Sequence, residues 1–271
     1  MSYFFLYICK NFIFQNMYKP LKFVAGVVAV LSVTACTTHY KLANTTRTRI
    51  VVDSRYDAMP SQEASSFIAP YKQKVDSVMG PVVGIVAHDM AADRPESDLS
   101  NLLSDILMWA AKDYNEQPVM GVYNIGGIRS ALTRGEVTYG DVLAIAPFEN
   151  KICFLTLTGE NLMELFRQIA KRGGEGVSHG VELVITADGN LVSAKLNGQE
   201  IDPRAEYRIT TIDYLAQGND GLVAFQKCTK LNAPRESRNN SRFIIMNYFK
   251  EQAGKHAPVS ARVEGRIKVI K

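Results

Sequence analysis

The chain is predicted to form a single α+β domain, with mixed sheets and flanking helices. Three observations lead there. Some segments carry apolar residues at helical spacing, others alternate with a period of two, and the two kinds are interspersed without a regular βαβ rhythm.

The elements follow in order. "RIVVD" (49–53) reads as a short strand. Residues 61–79 place Phe67, Ile68, Tyr71, Val75, Val78 and Met79 at helical spacing, with Pro70 expected to kink the middle. "PVVGIVAH" is a strand. "SDLSNLLSDILMWAAKDYN" is a helix with Leu99, Leu102, Leu103, Ile106, Leu107 and Ala110 in one stripe, capped by Ser97 or Asp98. "PVMGVY" and "KICFLTL" are strands. "TGENLMELFRQIAKRGG" is a helix capped by Thr158 and stopped by Gly173. Residues 181–212 alternate and turn at Asp188-Gly189 and Asn197-Gly198, a run of hairpins. A further strand covers "YRITTI", a helix covers 236–252, and "ARVEGRIKVIK" ends the chain as a strand.

The start of the chain has a different character. Residues 21–35, "LKFVAGVVAVLSVTA", pair a basic residue with a short apolar run and small residues, the pattern of a secretory leader. "SVTAC" then resembles the lipobox of bacterial lipoproteins, which makes Cys36 the expected lipidation site. An ordinary signal peptide followed by a chance cysteine is the alternative. Residues 1–16 are aromatic and apolar, so Met17 makes the more regular start. Residues 1–35 are thus expected to be a signal peptide, 36–48 the lipidated cysteine and a polar tether, and 49–271 the domain. Thr37, in place of an acid, favours the outer membrane facing the periplasm.

Removing that leader lowers the formal net charge from +4 to 4 − 3 = +1, because residues 1–35 hold Lys10, Lys19 and Lys22 and no acid. No Lys/Arg block remains to grip nucleic acid. Cys153 sits in an apolar run and reads as a buried thiol; an oxidising compartment would permit a Cys153–Cys228 disulfide, whose geometry sequence does not establish.

Three stretches could carry chemistry. "YNIGGIRSAL" places Gly126 and Gly127 after a strand, where bare backbone admits a ligand closely; Asn124 can orient a polar group and Arg129 can grip an anion. The same residues also fit a tight turn with a solvated arginine. "APFEN" (146–150) offers Phe148, though an isolated phenylalanine in an apolar neighbourhood is usually a core residue. "DYLAQGNDG" (213–221) offers Tyr214 and Asp220 in a glycine-bearing loop. A carboxylate there suits a sugar diol, or an Asx-type turn.

In order and spacing, "NIGGIR … GEVTYGDVLAIAPFEN … LTLTGENLMELF … YRITTIDYLAQGNDG … VEGRIK" resembles the C-terminal domain of the 5′-nucleotidase family, which includes UDP-sugar hydrolases and 2′,3′-cyclic nucleotide phosphodiesterases. The likeness implies that fold and a site for the nucleoside part of a substrate. Phe148 and Tyr214 would sandwich the base, and Asp220 would hold the ribose hydroxyls. Asn124 and Arg129 would contact base and phosphate, and Arg94, in "RPESDLSNL", would be a second phosphate ligand. Three departures bear on substrate identity. Ile125 replaces the first glycine of N-G-G-G-I-R and is expected to narrow the approach to the ligand; Asn219 replaces the second glycine of G-G-D-G, a mild change because Asn tolerates positive φ; Tyr214 stands where phenylalanine is usual.

Full-length members of that family carry an N-terminal metallophosphoesterase domain with two metal ions, which generate hydroxide and clamp the phosphoryl oxygens. The four histidines here, His39, His88, His179 and His256, stand in no D-x-H, G-N-H-[ED] or G-H-x-H context. The resemblance therefore implies the specificity half of a split 5′-nucleotidase, inactive alone, with nucleophile and two divalent metals on a separate metallophosphoesterase. The alternative is a nucleotide-binding lipoprotein without catalysis.

Overall fold

The computed structural model describes residues 42–58 and 60–270. The leader, Cys36 and Met17 lie outside the described residues. The described residues divide into two units, the boundary falling between Pro60 and Ser61. The domain start expected at residue 49 precedes that division.

In the first unit, residues 42–52 form no regular element, and Asp53 caps a 3₁₀ turn over Ser54–Tyr56. "RIVVD" is therefore not a strand. Its apolar residues Ile50, Val51 and Val52 are exposed, and among the described residues no ladder partner satisfies their backbone.

The second unit begins with helix α1, Gln62–Met79, capped by the Ser61 hydroxyl and containing Pro70. Strand β1 (Val82–Val86) pairs antiparallel with β3 (Gly135–Thr138). Helix α2 (Asp98–Ala110) starts at Ser97, whose hydroxyl accepts from the Ser100 N–H, and its leucine stripe is buried. The central sheet has the order β10-β4-β9-β2-β5, built from Thr229–Asn232, Ile152–Thr158, Glu206–Ile212, Met120–Tyr123 and Gly176–Val177. Within it β2 runs parallel to β9, while β4 and β9 are antiparallel. A four-stranded sheet, β11-β6-β7-β8, joins Ile267–Ile270 to the hairpins Val181–Thr186, Leu191–Leu196 and Gln199–Glu200. The fold is thus mixed α and β, as predicted.

Helix α3 (Tyr139–Ile145) and strands β3 and β10 had no clear sequence signal. Each is short and gains its stability from the neighbour it packs against. Helix α4 (Gly159–Lys171) is amphipathic. Leu162, Leu165, Phe166, Ile169 and Ala170 face the core, so Arg167 and Lys171 stand outward. Helix α5 (Asp213–Ala216) is one short turn in what sequence read as a loop, and α6 (Ser241–Gly254) starts five residues later than predicted, after a 3₁₀ turn at Ser237–Asn239. Among the described residues no helix is long and apolar enough to cross a membrane. Cys153 and Cys228 are free thiols, and burial pushes the Cys153 thiol up to about 12.

Candidate functional site

Three loops meet at one end of the central sheet, and strand register brings them there. Ile152 lies opposite Ile212 in the antiparallel β4–β9 pair, so the chain entering β4 and the chain leaving β9 emerge side by side. Because β2 is parallel to β9, with Met120 opposite Ile209, the loop after β2 exits at the same end. A backbone clasp locks the first two loops together. The Asp213 N–H donates to the Lys151 carbonyl at 2.8 Å, and Asp213 Oδ1 accepts from the backbone N–H of Lys151 at 3.0 Å and of Tyr214 at 2.9 Å.

Between the loops is a slot of about 180 Å³, lined by Asn124, Gly126, Gly127, Phe148, Asn150, Tyr214 and Asp220. Phe148 is 48% exposed, so it is not a core residue. Asp220 is held from two sides: Tyr214 donates its hydroxyl to Oδ1 at 3.2 Å and Asn124 donates Nδ2 to Oδ2 at 2.8 Å. Partial burial, and then the Asp220 carboxylate, push the Tyr214 hydroxyl above its ordinary value, so it stays a donor. Two oxygens with about four lone-pair sites leave Asp220 free to accept further hydroxyls.

Asp220 also takes the strained conformation of its loop, at φ 57° between Gly218 at 83° and Gly221 at 75°. The departure at Asn219 is thus mild for a different reason than positive φ. Asn219 keeps ordinary backbone angles and donates its side-chain amide to the Tyr214 carbonyl at 2.8 Å. In the glycine loop, a Cβ on Gly127 would come within 2.5 Å of Asn124 Oδ1, so the bare backbone makes room for the asparagine that orients Asp220. Ile125 does not narrow the slot. Its side chain is buried and the slot is lined by the two glycines that follow.

The loop's second anchor escaped sequence reasoning. Glu175 is buried and accepts three donors from separate segments: the Ile125 N–H at 2.7 Å, Arg94 Nη2 at 2.6 Å and Arg172 Nε at 2.5 Å. Its sequence signal is slight, a lone acid after Gly173-Gly174. Arg94 also donates Nε to the Gly174 carbonyl at 2.9 Å.

Of the residues singled out from sequence, Asn124, Gly126, Gly127, Phe148, Tyr214 and Asp220 share the slot. Arg94 faces an adjoining basin that also includes Asp220. Arg129 lines neither. Its side chain is exposed and donates Nη1 to the Gly126 carbonyl at 3.3 Å. Asn150, the last residue of "APFEN", lines the slot without a role foreseen from sequence. Among the described residues no group of three or more His, Cys, Asp or Glu is placed to hold a metal ion.

Comparison with known proteins agrees with this architecture. The family described as "5′-nucleotidase, C-terminal domain" matches residues 80–227. Apyrase of Tabanus yao is 30% identical over 177 residues, which cover 56% of this chain and 30% of that protein. Protein UshA of Escherichia coli is 24% identical over 206 residues, covering 75% of this chain and 36% of that protein. The crystal structure of a 5′-nucleotidase precursor from Thermus thermophilus superposes with a TM-score of 0.66 at 24% identity, over 77% of this chain and 43% of the other. The chain spans about a third of the length of these curated relatives. With more than half its residues matched, this chain belongs to the 5′-nucleotidase family through the C-terminal domain.

Proposed function

We propose that the chain is the nucleotide-binding part of a 5′-nucleotidase and that a separate metallophosphoesterase polypeptide breaks the ester. The observation that carries this is the convergence of seven residues from three distant loops on one slot, with an exposed Phe148 and a braced Asp220. The base stacks between Phe148 and Tyr214, a contact worth on the order of 1–3 kcal/mol per ring. The ribose hydroxyls donate to Asp220. Arg94 takes the phosphate together with Arg172, which shares Glu175 with it, and Arg129 joins them by giving up its bond to Gly126.

The described residues do not offer a metal-binding donor set, so no step of ester cleavage is assigned to them. Two divalent metals and the attacking water belong to the partner in this scheme. The test is AMP hydrolysis with Mn²⁺ or Zn²⁺ by the purified chain, alone and with candidate metallophosphoesterases. Turnover is expected only in the mixture. Robust turnover by the chain alone would refute the division of labour. AMP binding without association with any phosphoesterase would favour capture without catalysis.

We also propose a cell-envelope location, with lipid on Cys36 and the domain facing the periplasm, because "SVTAC" follows a leader-like apolar run. Cys36→Ser is expected to move the protein from the membrane to the soluble fraction. A variant that stays fully membrane-bound would rule the anchor out.

A further inference from the structure

Beside the stacking slot lies a basin of about 810 Å³, with Arg94 and Asp220 among its lining and one wall formed by Glu164, Arg167, Lys171 and Arg172 at the end of α4. The geometry points to a second anion site in this basin, one that makes the preferred ligand a nucleoside bearing two phosphate groups. This deepens the function proposed above and rests on it.

Four observations combine. The slot alone, at about 180 Å³, holds a flat ring system and falls below the roughly 300–1,000 Å³ of typical small-molecule sites. The rest of a nucleotide must lie outside it. Asp220 lines both hollows, and Arg172 Nη2 stands 3.8 Å from its Oδ2, so a ribose held at Asp220 abuts the basin. The basin is cationic: four basic side chains face Glu164 and Asp220, with Glu175 buried beneath Arg94 and Arg172. Lastly, the four cations divide by position. Arg94 and Arg172 are fastened to Glu175 next to the ribose position, where one phosphate suffices to meet them. Arg167 and Lys171 lie on the outward face of α4, four residues apart.

Like charges at that spacing repel on a helix surface, and a bound phosphate relieves the repulsion. Glu164 balances Arg167 at 3.1 Å, but water reaches both side chains, with 57% exposure for Arg167 and 41% for Glu164, so the pair is weak and easily exchanged for phosphate. Arginine offers a phosphate two parallel donors and lysine a compact charge. The first phosphate therefore meets Arg94 and Arg172, and the second meets Arg167 and Lys171. The second group is reached either along the 5′ chain or from the ribose 2′/3′ edge, and both routes end at the same cations.

The experiment is calorimetric titration of the full chain with adenosine, AMP, ADP and adenosine 3′,5′-bisphosphate, repeated on the double variant Arg167→Ala/Lys171→Ala. One of the doubly phosphorylated ligands is expected to bind the wild type roughly tenfold tighter than AMP, through two added charge-assisted contacts. A gain with ADP assigns the 5′ chain; a gain with the bisphosphate assigns the ribose edge. In the variant the gain should shrink to less than about threefold, while adenosine, which carries no phosphate, binds as before. The wild-type gain should also weaken as salt rises, since exposed charges are screened. Equal affinity for AMP and both doubly phosphorylated ligands overturns the second site. So does a gain that survives in the variant or ignores salt. Failure of the wild type to bind adenosine or AMP removes the stacking slot itself, and the second site with it.

Discussion

Glu175→Ala is expected to lower the melting temperature by about 6–12 °C, from a loss of roughly 3 kcal/mol at about 2–4 °C per kcal/mol in a domain this size. The carboxylate is fully buried and compensates two guanidinium groups and one backbone N–H. Removing it leaves those donors facing each other without an acceptor, which costs more than the net worth of the bonds. Arg94 and Arg172 retain about a third of their side-chain exposure, 34% and 29%, so water softens the loss toward the lower end of the range for buried pairs. Because Ile125 hangs from the same carboxylate, the glycine loop should loosen and AMP affinity fall with stability. The control is Glu206→Ala, whose partner Lys230 is exposed; removal of such a pair costs under about 1 kcal/mol. Differential scanning calorimetry of both variants checks the contrast. If the two melt within about 2 °C of each other, Glu175 is not the anchor of this region.

Phe148→Ala separates binding from folding in the opposite way. The ring is half-exposed, so its loss should shift stability by less than about 0.5 kcal/mol, as for most surface substitutions. AMP affinity should nonetheless fall at least about tenfold, or about 1.4 kcal/mol, because a stacking face is lost. Titration of AMP into both proteins measures it. An unchanged dissociation constant would remove Phe148 from the site and take the base sandwich with it. A matching drop in melting temperature would instead mark the ring as a packing residue.

The local elements are largely legible in the chain itself. Ser97 and Thr158 announce the starts of α2 and α4, and the buried stripes of both helices follow from their spacing. The hairpins after Val181 follow from Asp188-Gly189 and Asn197-Gly198. "RIVVD" misleads because a strand is defined by the partner it pairs with, and no local pattern contains that partner. Helix α3 escapes notice because seven residues carry too little periodicity to show.

The candidate site divides along the same line. Residue order alone dictates which chemical types stand in which loops: paired glycines, one ring, a second ring, an acid. Their meeting is a property of the folded chain. The β4–β9 register sets Phe148 beside Tyr214, the parallel β2–β9 pair delivers the glycine loop to the same edge, and Glu175 ties that loop to Arg94 and Arg172 from separate segments. Helix caps and turns are set by residues a few positions apart, so a single stretch of chain can report them. Convergence of loops depends on strand pairing across dozens of residues, and the energy that selects it belongs to the folded sheet as a whole.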